Sequence, residues 1–230
     1  MNSSSTARVQ VAGESLVLHP ARAVWWPRRA TLLLADTHFG KAATFRQAGL
    51  AVPHGTTARM LQRWTDLMQE FAPERVIILG DFVHSSTRAE LGFESELIRW
   101  RKRYRELRLT LIRGNHDRGQ GELFTALQLE LLGEPHVEEP FALCHHPDRE
   151  IPDHLYAIAG HLHPGTTIEE AGRGRLTLPC FLVGSRVTIL PAFGEFTGAA
   201  RTPPAPGNRL FVIAGECVLE IAPPPPPKQL

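Results

Sequence analysis

The stretch TLLLADTHFGK, residues 31–41, runs three leucines and an alanine straight into Asp36, with His38 two residues on. A short unbroken apolar run of this kind reads as a strand buried on both faces, as in the interior of a parallel sheet. Such a strand ordinarily ends in a turn residue. This one ends in an acid and an imidazole spaced to face one point.

The same pattern recurs downstream. RVIIL, residues 75–79, ends in Gly80-Asp81-Phe82-Val83-His84, and the apolar residues 109–112 lead through Arg113 into Gly114-Asn115-His116-Asp117. Between the strands lie helical patterns. Met60, Leu61, Trp64, Leu67, Met68 and Phe71 recur at 3–4-residue spacing over residues 55–71, and Pro73 stops the run. A second helix is expected over about residues 90–107, with Leu97, Trp100, Tyr104 and Leu107 on one side. The order strand–helix–strand–helix–strand predicts a parallel sheet with right-handed crossovers. Short segments near residues 8–11, 15–19 and 23–26 predict an antiparallel edge to it. Beyond residue 120 the pattern changes to a short helix near 123–131, then strands near 141–143, 156–159, 176–178, 181–183 and 187–190, and a last hairpin at 210–213 and 217–221 around Gly215. Two of these later strands also end in imidazoles: Cys144-His145-His146 and Gly160-His161-Leu162-His163.

Bulk properties narrow the function. The chain has 230 residues, 43% of them hydrophobic, enough for one large domain with a sizeable core. A net charge of +1 excludes a global field that would steer it to nucleic acid or membrane, so any such binding must come from a local patch. Three scattered cysteines read as reduced thiols, and no window approaches the ~18 apolar residues of a membrane span. A cytoplasmic protein without a membrane partner is expected. The domain is expected over residues 8–222, after a disordered N-terminus (residues 1–7) and before a proline-rich tail (residues 223–230).

Eleven histidines are unusual, and those in the motifs converge with two carboxylates and an amide oxygen. In open α/β sheets ligands bind beyond the carboxyl ends of the strands, so all these clusters fall on one rim. The donor set suits borderline first-row divalent metals, and it has too much nitrogen for a calcium or magnesium cage. There are too many donors for one ion and enough for two that share a carboxylate, the arrangement that promotes phosphoryl displacement. Alternate residues of an extended segment point to one side, which suits His-x-His.

The order D-x-H, G-D-x-x-H, G-N-H-D, H, G-H-x-H, from Asp36 to His163, resembles the calcineurin-like metallophosphoesterase superfamily. The resemblance implies an α/β fold, a four-layer α-β-β-α sandwich with two mixed sheets. It implies that Asp36, His38 and His163 hold one metal, that Asn115, His145 and His161 hold the other, and that Asp81 bridges them. His145 is preferred to His146 because it directly follows the apolar strand. His116 would face the leaving group, with Asp117 orienting its ring, and Gly114 would allow a sharp turn. Lys41 and His84 are candidates for contacting substrate; Arg46 and Arg113 also lie near the rim. Manganese is the foremost metal, with iron or zinc as alternatives.

The segments DTHFGKAATFR (36–46), P-x-G-T (53–56), HHP (145–147), GHLHP (160–164), LPCF (178–181) and LPAFGEFTG (190–198) resemble the ligase-associated DNA damage response endonuclease family. That likeness implies a metal-dependent phosphodiesterase or endonuclease acting on DNA in a bacterial repair pathway, associated with a DNA ligase, an exonuclease and a helicase. The alternative is a small-molecule phosphatase or nucleotide phosphodiesterase. A scaffold that has lost its chemistry is the third reading, and an intact His116 speaks against it. The LPAFGEFTG segment reads either as a wall of the cleft or as a packing corner of the second sheet.

Overall fold

Seven strands form the first sheet in chain order: β1 (Ala7–Val11), β2 (Glu14–His19), β3 (Ala23–Trp26), β4 (Thr31–Ala35), β5 (Arg75–Leu79), β6 (Arg108–Ile112) and β7 (Glu130–Leu132). The computed structural model describes residues 5–84, 91–170, 174–203 and 205–221. The first four strands pair antiparallel and the last four parallel, so the sheet is mixed. The switch falls at β4, the TLLLA strand, where all five residues are buried.

A second mixed sheet holds β8 (His136–Glu138), β9 (Phe141–Leu143), β10 (Tyr156–Ala159), β11 (Pro164–Glu170), β12 (Gly174–Val183), β13 (Val187–Ile189), β14 (Ala200–Arg201), β15 (Arg209–Ala214) and β16 (Cys217–Ile221). β9, β10 and β13 run parallel, and β8, β12, β15 and β16 are joined antiparallel. The inner faces of the two sheets share one core, in which Leu33, Ile77 and Ile112 meet Phe141, Ile158, Phe181 and Phe211.

Four helices are described: α1 (Lys41–Gln47), α2 (Thr56–Phe71), α3 (Leu91–Arg103) and α4 (Gly121–Ala126). α2 puts Met60, Leu61, Trp64, Leu67 and Met68 onto the outer face of the first sheet, where Trp64 tilts against Trp100 of α3. Each such large apolar side chain contributes about 1.5–3 kcal/mol when buried. These layers give the sandwich its α-β-β face. Over the outer face of the second sheet, among the described residues, Ile151 and Leu155 of a loop pack on Ala142, Cys144 and Ala159.

Several local expectations are corrected. The helix expected over 123–131 stops at Ala126, and Gln128 (φ 53°) turns the chain into β7 beside β6. Leu131 and Leu132 serve a strand because β6 offers an open edge there. Residues 176–178 and 181–183 are one strand, β12. Pro179 sits where β12 hands over from β11 to β15, so its missing N–H breaks no ladder. α1, β8, β11 and β14 were not anticipated. Ser5–Ala7, expected to be disordered, are ordered: Ser5 pairs with the start of β16, and β1 begins at Ala7. The rest of the expected N-terminal extension (residues 1–4) and the proline-rich tail lie outside the described residues, as do residue 90 and residues 85–89 before it. Trp25 and Trp26 pack at this edge of the sheet: Trp25 stacks on Phe71, and Trp26 is fully buried with its Nε1–H donated to Glu14.

Candidate metal centre

Five loops meet on one rim. β4, β5 and β6 are parallel neighbours, as are β9 and β10, so their carboxyl ends share an edge in each sheet. The sandwich brings the two edges together. His38 Nε2 lies 3.4 Å from His163 Nε2, which is 3.5 Å from Asp36 Oδ1. Beside this group, His145 Nε2 lies 3.1 Å from Asn115 Oδ1 and 3.1 Å from His161 Nδ1. Asp81 stands between the groups. Its Oδ2 is 3.7 Å from His38 Nε2, and its Oδ1 is 3.6 Å from His145 Nε2. Every residue expected to hold metal is therefore in this cluster.

The imidazoles are oriented from behind. The Nδ1 of His145 meets the Leu79 carbonyl at 3.1 Å, that of His163 meets the Thr197 carbonyl at 3.2 Å, and that of His146 meets Glu134 Oε1 at 2.6 Å. A ring that donates from Nδ1 presents a lone pair at Nε2, the tautomer a metal requires. Burial pushes His38 down to about 2, with Lys41 and the neighbouring rings adding to it. His161 is lowered as well, by burial and then by His145 and His146. For His38 and His161 burial thus favours the neutral ring.

This arrangement fits a cation. Asp36 Oδ1 is buried with no hydrogen-bond partner, and so is His38 Nδ1. His145, with its Nδ1 against the Leu79 carbonyl, turns Nε2 toward another acceptor, Asn115 Oδ1. Buried acceptors facing one another are costly unless a positive ion lies among them.

The backbone carries a further signature. Asp36 (φ 51°), His38 (φ 45°), Asp81 (φ 47°), His161 (φ 70°) and His163 (φ 46°) are all left-handed. Each such non-glycine residue costs about 1–2 kcal/mol, and clusters of them mark functional sites. The extended His-x-His segment expected from the sequence is thereby corrected: because both histidines are left-handed, His161 turns to His145 and His163 to His38. Close approach explains the glycines. A Cβ on Gly80 (φ +76°) would lie 2.0 Å from His145 Nδ1, and one on Gly160 2.6 Å from Asp36 Oδ2. Gly114 also serves close approach, not a left-handed turn, since a Cβ there would lie 2.3 Å from Asp81 Oδ1.

His116 is partly exposed, with Nε2 3.9 Å from Asp81 Oδ2, and its backbone N–H donates to Asp81 Oδ1 at 3.0 Å. His84 stands beside it, ring centroids 5.5 Å apart, with a buried, unpartnered Nδ1. Lys41 opens α1 and lines a small cavity with His38, Arg46 and His54. Asp117 is placed differently from expectation. Its oxygens accept the N–H groups of Phe82 and Gly114, both at 2.8 Å, so it ties the β5 and β6 loops together and does not touch the His116 ring. Burial raises its carboxyl above the usual range. Both members of His145-His146 reach the site: His145 meets Asn115 and Asp81, and His146 joins His145 and His161 with ligand atoms within 4.8 Å of one another.

One support, Glu134, carried no motif. The Glu134 side chain is only 7% exposed, and its Oε2 accepts the N–H groups of His145 and His146 at 2.7 and 2.9 Å. Burial opposes its charge, but hydrogen bonds from His146, Arg149 and His145 prevail and hold it at about 2. Its signal exists only in three dimensions. The LPAFGEFTG segment packs against the end of β4 in the first sheet, not as a corner of the second, and then reaches the rim. Phe193 is buried and its N–H donates to the Ala35 carbonyl, Gly194 packs on Thr37, and Arg22 and Arg63 clamp the 192–194 carbonyls. Thr197 then meets His163 at the rim.

A rim of histidine, aspartate and asparagine donors between two sheets is the site of a metallohydrolase. The family model for the calcineurin-like phosphoesterases matches residues 30–173. None of the curated proteins is a significant match. The crystal structure of Pseudomonas putida nuclease MPE is 39% identical, covers 94% of this chain and 100% of that one, and superposes with a TM-score of 0.81. The Escherichia coli phosphoesterase Yfce is a weaker likeness, at 13% identity over 84% of this chain and 98% of that one, with a TM-score of 0.43. This chain belongs to the calcineurin-like phosphoesterase family. It is a metal-dependent hydrolase of phosphoester bonds.

Proposed function

We propose that the protein is a two-metal phosphodiesterase or endonuclease acting on nucleic acid, with DNA in a repair setting as its substrate. The observation that carries the two-metal reading is Asp81, whose oxygens face separate donor groups, His38 on one side and His145 on the other. Asp36, His38 and His163 would hold one ion, and Asn115, His145 and His161 the other, with His146 beside them. A pair of divalent ions supplies charge neutralisation of the phosphate and acidifies water at neutral pH. Manganese is the ion this mixed nitrogen–oxygen set is proposed to take.

The chain's own residues supply the rest. His116, partly open to solvent, donates a proton to the departing oxygen. Lys41 places a cation beside His38 for a non-bridging phosphate oxygen. Asp117 keeps the His116 loop against the β5 loop. The nucleic-acid reading draws on the 39% identical nuclease. Association with a DNA ligase, an exonuclease and a helicase belongs to the same reading.

The test is a manganese-supplemented assay of single-stranded DNA, duplex DNA, a phosphomonoester and a cyclic nucleotide. Cleavage of DNA is expected. Turnover of only the last two would overturn the nuclease reading in favour of a small-molecule phosphoesterase.

A further inference from the structure

We infer that the cleft walled by Arg113, Arg118 and Arg149 holds the nucleic-acid strand where it continues past the scissile phosphate. The inference rests on the nuclease reading above. The cleft encloses about 630 Å³, and Asn115 and His146 form part of its lining, so it opens directly on the donor cluster. The cavity beside Lys41 is far smaller, about 160 Å³. The first has room for a nucleotide unit, the second only for a small group.

The lining chemistry suits a polyanion. Two carboxylates, Asp117 and Glu134, face the three guanidiniums. Both oxygens of Asp117 accept backbone N–H groups, and Glu134 is engaged by His145, His146 and Arg149. Arg113 and Arg118 are exposed, and among the described residues no ion pair engages either. Guanidinium groups in this state match phosphate oxygens two by two. Gln120 adds a second sign of a missing partner: its side chain is buried at 8% exposure, and its Nε2 has no acceptor. Leu131, half-buried, supplies apolar surface for a sugar or base, backed by Phe124 in the core. A phosphomonoester or a cyclic nucleotide would end at the donor cluster and leave this cleft unused. A strand fills it. The patch also supplies what a net charge of +1 cannot, a local field for nucleic acid.

The experiment compares Arg118→Ala and the Arg113→Ala/Arg118→Ala double variant with the parent on two substrates. One is bis-p-nitrophenyl phosphate, and the other is a fluorescein-labelled single strand of about a dozen nucleotides. Turnover of the small diester should stay within about twofold, while kcat/KM on the oligonucleotide should fall by roughly tenfold or more. Fluorescence anisotropy across a salt series should give a slope of log affinity against log salt shallower by roughly 0.7 per arginine removed. Arg118→Lys should restore most of that slope. An equal fall on both substrates would place the arginines in the reacting site, and an unchanged oligonucleotide would remove the strand from the cleft. Either result overturns the inference while leaving the nuclease reading intact. A parent enzyme that turns over the diester and no oligonucleotide overturns the nuclease reading, and this inference with it.

Discussion

The proposed function gives His116, Asp81 and Glu134 three separable tasks, and single substitutions should separate them. His116→Ala is expected to keep its metal content and lose roughly 10²–10⁴-fold in turnover of a DNA oligonucleotide, whose departing alkoxide needs a proton, the usual worth of a positioned acid. Full turnover with metal retained would remove His116 from the chemistry. Asp81→Asn removes the whole carboxylate charge that faces both donor groups, and elemental analysis should then find fewer than two ions per chain. Two ions retained would misplace the bridge. Glu134 touches no substrate in this reading. It fixes the His145-His146 backbone and the His146 ring, so Glu134→Gln should weaken metal affinity by roughly 10–100-fold, as other supports behind metal ligands do. Metal titration followed by calorimetry measures this without any turnover. Asp81, His116 and the histidines were legible in the sequence because their motifs sit at strand ends. Glu134 was not, because nothing in GEPHVEE, residues 133–139, distinguishes it from a surface acid.

At the scale of elements, the loop after each strand matters more than the strand. The three parallel strands place the rim, but the left-handed backbone at Asp36, His38 and Asp81 aims the side chains. Gly80 makes the packing possible: its missing Cβ leaves room for the His145 ring arriving from the other sheet. Gly80→Ala should therefore lower the thermal midpoint by more than a helix or surface alanine substitution would, with a cost of about 1–3 kcal/mol or greater, and should reduce metal content. A circular-dichroism melt and elemental analysis check both, and an unchanged melt would mean that His145 does not sit where it is described. The helices and central strands were readable because periods of 3.6 and runs of β-branched and leucine residues report burial directly. α1 and β11 escaped because KAATFRQ and PGTTIEE carry little apolar periodicity, and their structure comes from what they pack beside.

For the molecule as a whole, the donor set joins the two sheets. Asp36, His38, Asp81 and Asn115 come from the first, and His145, His161 and His163 from the second. Bound ions would therefore act as a clasp at the rim of the sandwich. At free metal a hundredfold above Kd, one site adds about 2.7 kcal/mol. For a chain of this length that corresponds to a rise of roughly 5–10 °C in Tm. Adding a chelator should reverse it, as read by differential scanning calorimetry, and a chelator-insensitive Tm would argue against ions shared between the sheets.

From the sequence alone come the class of fold, the rim on which the polar residues gather, and a set of residue types suited to hold metal. They are legible there because burial writes periodicity and because polar residues at buried strand ends need a reason. Tertiary packing set which imidazole faces which group, that Asp117 braces loops and leaves the His116 ring alone, that Glu134 and two half-buried arginines, Arg22 and Arg63, brace the loops around the site, and that an arginine cleft opens beside it. Those facts depend on backbone dihedrals and on contacts between residues far apart in the chain, such as Gly80 with His145 or Asp36 with His161. No spacing along the chain encodes such contacts.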